Sequence, residues 1–188
     1  MVMGTLYGFY RDQLYNLLSQ ETKTATLEDA RGALDLMVRE LRNAGSWGSG
    51  SAPAGCSRVV TATATTIRIQ ADLDGNGDCT SDAGDNVTYD LTGSTITRKG
   101  VNNPLVDNVV LPAGSSFLTY YPSGSNPAPF CFPTGNPSGC SGDLAANLAN
   151  IKRVKITVAV QMSNPNPNSR SANPYVSTTL SSSVEFRN

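Results

Sequence analysis

Leu27–Gly45 reads LEDARGALDLMVRELRNAG, and its periodicity decides the fold. Leu27, Ala30, Leu34, Met37, Val38 and Leu41 recur at helical spacings and mark one apolar stripe. Glu28, Arg31, Asp35 and Arg39 fall on the opposite face, where charges three and four residues apart can pair. Gly45 stands where a left-handed glycine commonly ends a helix. Upstream, Leu6, Tyr10, Leu14, Leu17 and Leu18 keep similar spacing, so the pattern predicts one helix over residues 4–44. At ~1.5 Å per residue that helix is about 60 Å long, more than a domain of this size can cover. One end is therefore expected to protrude. Between the two apolar runs, SQETKTAT at 19–26 is polar and threonine-rich, and a bend or loosened turn is expected there.

The protruding end is expected to be the first. MVMGTLYGFY, residues 1–10, is apolar on nearly every face, and such a helix must be buried in something. It is far shorter than the roughly 20 apolar residues that cross a bilayer. A charged n-region and a cleavage site are both lacking, which argues against a signal peptide. The stretch reads as the tail of a longer apolar helix, a truncated hydrophobic segment. The face of Leu6, Tyr10, Leu14, Leu17 and Leu18 is then the one a partner helix is expected to cover. The alternative is an amphipathic start packed on its own domain.

Past Gly45 the character changes. WGSGSAPAG is linker-like, and short alternating segments follow. TTIRIQAD sets Ile67 and Ile69 on one face; NVTYDL does so with Val87, Tyr89 and Leu91 and runs through a TGS turn into TITRKG, a hairpin. SSFLTYY alternates Phe117 and Thr119 against Leu118 and Tyr120. IKRVKITVAVQM sends Val154, Ile156, Val158 and Val160 one way and Arg153, Lys155 and Thr157 the other. VSTTLSSSVEFRN places Leu180, Val184 and Phe186 together, after the proline-rich separator SNPNPNSRSANP. Consecutive strands joined by short turns imply an antiparallel sheet whose apolar face the long helix covers. The expected class is α+β, with a helix at 1–46 and a β-sheet head at 47–188 forming one structural domain.

Composition narrows the chemistry. The 188 residues carry a net charge of -1, 15% charged and 7% aromatic residues, Gly 17 and Pro 11, as a turn-rich single domain does. The near-zero charge argues against nucleic acid as a partner. Histidine is absent, which removes Ser-His-Asp and Cys-His machinery, histidine metal sites and imidazole bases. Of four cysteines, Cys56, Cys79, Cys131 and Cys140, none forms a CxxC, which argues against zinc ribbons and thioredoxin-like chemistry. Three pairings exist. Cys131 with Cys140 closes the short loop FCFPTGNPSGC and leaves Cys56 with Cys79, the favoured arrangement and one suited to an oxidising compartment. Four free thiols are the alternative.

DLDGNGD, Asp72–Asp78, is the sharpest local motif. Asp72, Asp74 and Asn76 alternate before Gly77, as in the first half of a calcium loop. An all-oxygen set suits Ca²⁺, a hard cation. Asp78 adds a carbonyl or carboxylate, and Asp82 or Asp85 closes the site, because Ala83 stands where the twelfth-position glutamate belongs. A Cys56–Cys79 bond would tether the far side of the loop. The plain alternative is an Asp/Asn/Gly hairpin loop. Weaker signals are a basic cluster (Lys152, Arg153, Lys155, joined by Arg98 and Lys99), an aromatic set (Trp47, Tyr120, Tyr121), the carboxylates Asp85 and Asp90, and the acceptor pattern at Asn86. For each, an ordinary structural role is the more common reading. The loops at 122–143 and 163–175 are long enough to form a recognition surface.

The ordered set LEDARGALDLMVRELRNAG, IRIQADLDGNGD, NVTYDL, TITRKG, NPLVDNVV to SSFLTYY, LANIKRVKITVAVQ and TTLSSSVEFRN resembles type IV pilins and the pseudopilins of type II secretion. It looks most like the PilW/GspJ-like minor pilin group. The resemblance implies a non-enzymatic subunit that primes or caps a type IV pilus or related filament. Its alternatives are a type II secretion minor pseudopilin and a pilus-tip adhesin or DNA-binding subunit. It also implies other minor and major pilins or pseudopilins as partners, and the inner membrane through an N-terminal apolar segment. The location is the inner membrane and periplasm first, then an extracellular filament. Some members hold calcium in loops of the Asp72–Asp78 kind.

Overall fold

The computed structural model describes residues 2–48, 50–80, 82, 84–100, 104–133, 136–163 and 175–186; the side chains of 2–6, 12, 19 and 163 stand outside that description. Helix α1, Val2–Asn43, opens the chain. Of the expected stripe, Ala30, Leu34, Met37 and Leu41 are buried and Leu27 and Val38 half-buried; Ala33 and Ala44 are buried with them, while Glu28, Arg31, Asp35 and Arg39 face solvent. The helix stops at Gly45, whose φ of 77° is the left-handed value an L-residue avoids. The loosened turn expected at 19–26 is not there. Helical structure is unbroken, and the hydroxyls of Thr22, Thr24 and Thr26 each donate to the carbonyl four residues back, at 2.9 Å. That bond occupies the hydroxyl within the helix, so threonine's low propensity does not open the turn.

Strands β1 (Val59–Ala62), β2 (Thr66–Gln70), β3 (Asn86–Thr92), β4 (Thr95–Arg98), β5 (Leu118–Tyr121), β6 (Arg153–Ser163) and β7 (Tyr175–Glu185) follow, with a 3-10 turn at Ala145–Asn150. The α+β order is the one expected. All the strand pairs are antiparallel, but they form two sheets rather than one, β1-β2-β3-β4 and β5-β6-β7. The division has a local cause. The segment after β4 carries Pro104 and Pro112, which lack the N–H a continuing ladder needs. Between them the chain makes single bridges, Ile96 with Val106 and Val109 with Val160, and turns at Asn108 with φ 58°. It crosses from one sheet to the other instead of extending either.

In the first sheet, Ile67 faces Tyr89 and Ile69 faces Val87, so the predicted apolar faces coincide. In the second, Val154, Ile156, Val158 and Val160 are buried as expected, with Val184 and Phe186 beside them and Leu180 half-buried. β5 departs from one-sided alternation: Phe117, Leu118, Thr119 and Tyr120 are all buried. Burial of successive residues means that both faces of the strand are covered. The Phe130 N–H bonds the Tyr120 carbonyl and the Leu118 N–H bonds the Ala64 carbonyl of the β1–β2 turn, both on the edge that faces away from β6.

Helix α1 packs on β6 and β7 and is also fastened to the first sheet. Glu40 accepts from the Tyr89 hydroxyl and, at 3.0 Å, from Arg98 Nε, with which it forms an ion pair. Bonding to Glu40 raises the Arg98 pKa. Burial, then the Glu40 contact, holds the Tyr89 phenol far above its usual 10. Burial does the same for Tyr120, whose hydroxyl donates to the Thr63 carbonyl at 2.9 Å.

Two expectations follow. Met37→Ala removes a fully buried side chain from the helix–sheet seam and lowers unfolding free energy by about 2–5 kcal/mol in urea titration. Tyr89 and Tyr120 stay neutral when folded, whereas the unfolded chain ionises them near pH 10. Their contribution is therefore complete below pH 10 and lost as pH rises above it. Tyr120→Phe lowers neutral-pH stability by about 1 kcal/mol yet makes the alkaline decline shallower, as melts between pH 8 and 12 will show.

Candidate functional site

The loop after β2 is sewn to the end of the helix. The Gly45 N–H donates to the Gln70 carbonyl at 2.9 Å, and the Asp72 N–H donates to the Ser46 carbonyl at 2.8 Å. Trp47 and Asp72 form a parallel bridge. The Ala71 N–H donates to the Asp85 carbonyl at 2.8 Å, which brings the approach to β3 alongside. Gly48 and Gly75 meet backbone to backbone: a Cβ at Gly48 would lie 2.7 Å from the Gly75 Cα.

Within this frame three carboxylates converge. One oxygen each from Asp72, Asp74 and Asp85 lies within 4.8 Å of the others. Asp72 and Asp85 are only 2% exposed; Asp74 faces solvent. Asp72 accepts from the Gly75 N–H at 2.8 Å and the Gly77 N–H at 3.2 Å. Asp74 accepts from the Asn76 backbone at 3.1 Å and its side-chain amide at 3.0 Å. Asp85 Oδ1 accepts from the Leu73 N–H at 3.0 Å, while its Oδ2 is buried with no hydrogen-bond partner among the described residues. Among the described residues none of the three has an ion-pair partner. A buried carboxylate is costly unless paired. This acidic triad has the donor set to hold a metal ion.

Of the six predicted ligands, then, Asp72, Asp74 and Asp85 come together, with Asn76 bonded to Asp74. Asp78 and Asp82 stand outside the triad: the Asp78 carboxylate accepts from the Thr80 N–H, and the Asp82 carbonyl accepts from the Asp85 N–H. Ala83 lies outside the described residues. Cys56 bonds Cys79 with Cα atoms 6.0 Å apart, and Cys131 bonds Cys140 at 5.0 Å, the favoured pairing. The first bond fixes the far side of the acidic loop, and the buried Cys79 anchors it to the core.

The weaker candidates disperse. Arg98 is held on Glu40, in a different sheet from Lys152, Arg153 and Lys155. Lys99 lies just past β4, exposed. Arg153 stacks over Tyr121, its guanidinium carbon 4.5 Å from the ring centre. Tyr120 is core, so Trp47, Tyr120 and Tyr121 share no surface. Asp90 accepts from the Thr66 and Thr92 hydroxyls, a network separate from that of Asp85. Asn86 accepts from Arg68 Nε at 2.8 Å. The 122–143 loop is pinned by buried Phe130 and Phe132 and by its disulfide; in the 163–175 loop, 164–174 lie outside the described residues. An open groove of about 820 Å³ runs between the helix end and the 3-10 turn. Among the described residues lining it, Arg58 is the only charged one. Burial lowers the Arg58 pKa, and its guanidinium donates to the carbonyls of Ala149 and Ile151.

The first half of α1 is bare. Tyr7, Phe9, Tyr10, Leu14, Leu17 and Leu18 are 41–70% exposed; the Leu6 side chain lies outside the described residues. Tyr7 and Phe9 were not picked out by spacing, because a stripe search passes over residues on the other faces. No described helix is long and apolar enough to cross a membrane.

No protein-family model matches the chain, and no curated protein does. Among solved structures it is similar to a type IV-like pilin from Thermus thermophilus, at 10% identity and a TM-score of 0.47, over 85% of this chain and 96% of that one.

Gly48→Ala tests the junction. The new methyl group meets Gly75 backbone rather than a yielding side chain, so the loop must shift, and the melting temperature falls by several degrees. Gly50→Ala, with open space around it but φ at 79°, costs only the smaller backbone strain.

Proposed function

We propose that the chain is a non-enzymatic, pilin-type filament subunit, a minor pilin that helps prime assembly of, or caps, a type IV pilus or a related filament. One observation carries the reading: six large apolar side chains stand exposed along a single helix whose C-terminal half is well packed. Such a surface is a site for association rather than for water. Neighbouring helices of like character are its natural cover, and the filament core supplies them. Its partners in this reading are other minor and major pilins or pseudopilins. Its places are the inner membrane and periplasm before assembly and the extracellular filament after it. The division near residue 46 separates the part that assembles from the part that faces outward.

The absence of histidine, and a groove lined by a single charged residue among those described, support a role without catalysis. A minor pseudopilin of type II secretion shares the same physical basis. A tip adhesin or DNA receptor has less behind it, because the basic residues are divided between two sheets. The cofactor in this reading is Ca²⁺, held by the acidic loop after β2 and supported by the partnerless oxygen of Asp85.

The test is a Leu17→Asp/Leu18→Asp double variant in the host strain. Both side chains are exposed, so the isolated protein melts within about 2 °C of the parent. Piliation or secretion is expected to be lost. Normal filaments from the double variant would overturn the proposal.

A further inference from the structure

We propose that Asp72, Asp74 and Asp85 form a Ca²⁺ site whose filling fastens the β-sheet head to the end of helix α1. The inference rests on the cofactor reading above and adds what the ion does.

The starting point is Asp85 Oδ2. It belongs to a side chain that is 2% exposed, it has no hydrogen-bond partner among the described residues, and it sits in a residue that shares a 4.8 Å cluster with two further carboxylates. Buried carboxylates in native proteins are normally matched, lone pair by lone pair, with donors or a cation. The other carboxylate oxygens of the triad already accept N–H bonds or face solvent, which leaves this atom as the unmet demand. Arg39 lines the small cavity beside Asp85, together with Leu73 and Gly84, and is the rival counter-charge. Its side chain is exposed and makes no ion pair with Asp85.

Ca²⁺ fits the donors better than Mg²⁺ does. The ligands are oxygens of a glycine-containing loop and of a residue thirteen positions from its start, an irregular set. Calcium accepts six to eight such ligands in flexible geometry, whereas magnesium demands a compact octahedron and keeps its waters.

The location supplies the consequence. Asp72 is bonded through its own N–H to Ser46 and bridged to Trp47, at the turn that ends α1. Asp74 lies in the loop that brings Gly75 against Gly48. Asp85 leads into β3 and is tied to Ala71. With no cation, carboxylate repulsion works to part these segments; with one, the same charges pull them onto a common centre.

The experiment uses this chain as it stands, stripped with EDTA and then given CaCl2 or MgCl2. Ca²⁺ at about 100-fold over its Kd is expected to raise the melting temperature by about 5–10 °C, with a smaller rise for Mg²⁺. Amide exchange slows at residues 44–48 as well as at 71–77. Asp74→Ala, an exposed change that leaves the fold intact, abolishes the calcium response, and Asp85→Asn, which keeps a carbonyl but loses the charge, weakens calcium binding at least tenfold. Asp85→Asn also melts at or above the parent in EDTA and below it in Ca²⁺, a crossover that a purely structural aspartate would not give. Equal melting in Ca²⁺ and EDTA, or a full response in Asp85→Asn, overturns the site and the cofactor reading together. Calcium binding without slower exchange at 44–48 overturns the fastening alone.

Discussion

Everything in this molecule is seated on one apolar stripe, the run from Ala30 to Ala44 along α1. It packs β6 and β7 directly, and through Glu40 it reaches Tyr89 and Arg98 of the other sheet. The strand ladders end at the crossing through Val106 and Val109. The two sheets therefore depend on the helix as shared ground, and losing its contacts would loosen both. The small residues Ala30, Ala33 and Ala44 let backbone come close, while Met37 and Leu41 fill the volume between. The Glu40 pair adds direction rather than bulk. A carboxylate only partly removed from water, holding both a phenol and a guanidinium, sets which rotation of the helix fits.

Much of this was legible in the sequence because it is periodic. The stripe, its stop at Gly45, and the alternation in β2, β3 and β6 all follow from which side of an element meets water. What was not legible lacks that signal. β1 is four residues with an irregular register at its start, and the 3-10 turn AANLAN has no apolar period. β5 defeated the alternation rule because that rule assumes one covered face, and here both are covered. The division into two sheets turns on pairings such as Ile96 with Val106, which no local pattern announces. Pro104 and Pro112 were visible, but where the chain goes after leaving a ladder is a question of distant contacts.

The acidic loop divides in the same way. DLDGNGD reads locally, because aspartate, asparagine and glycine at fixed offsets impose a tight loop. Asp78 was expected to contribute and does not, and whether Asp82 or Asp85 closes the site was open. The answer came from Ala71 pairing with Asp85 as β3 begins, a contact between segments rather than within one. The disulfides were easier. A nine-residue separation between Cys131 and Cys140 makes their meeting nearly local, and the remaining pair is then fixed.

Residues 7–26 have no buried side chain among those described, and at ~1.5 Å per residue they make about 30 Å of bare rod. The seat from Ala30 to Ala44 is shorter, roughly 20 Å by the same rise. Mechanically this is a lever with its long arm free. A pull along the axis loads the whole seat at once in shear, whereas a sideways push peels it open from Ala30 inward. The same joint is thus stiff in tension and compliant in bending.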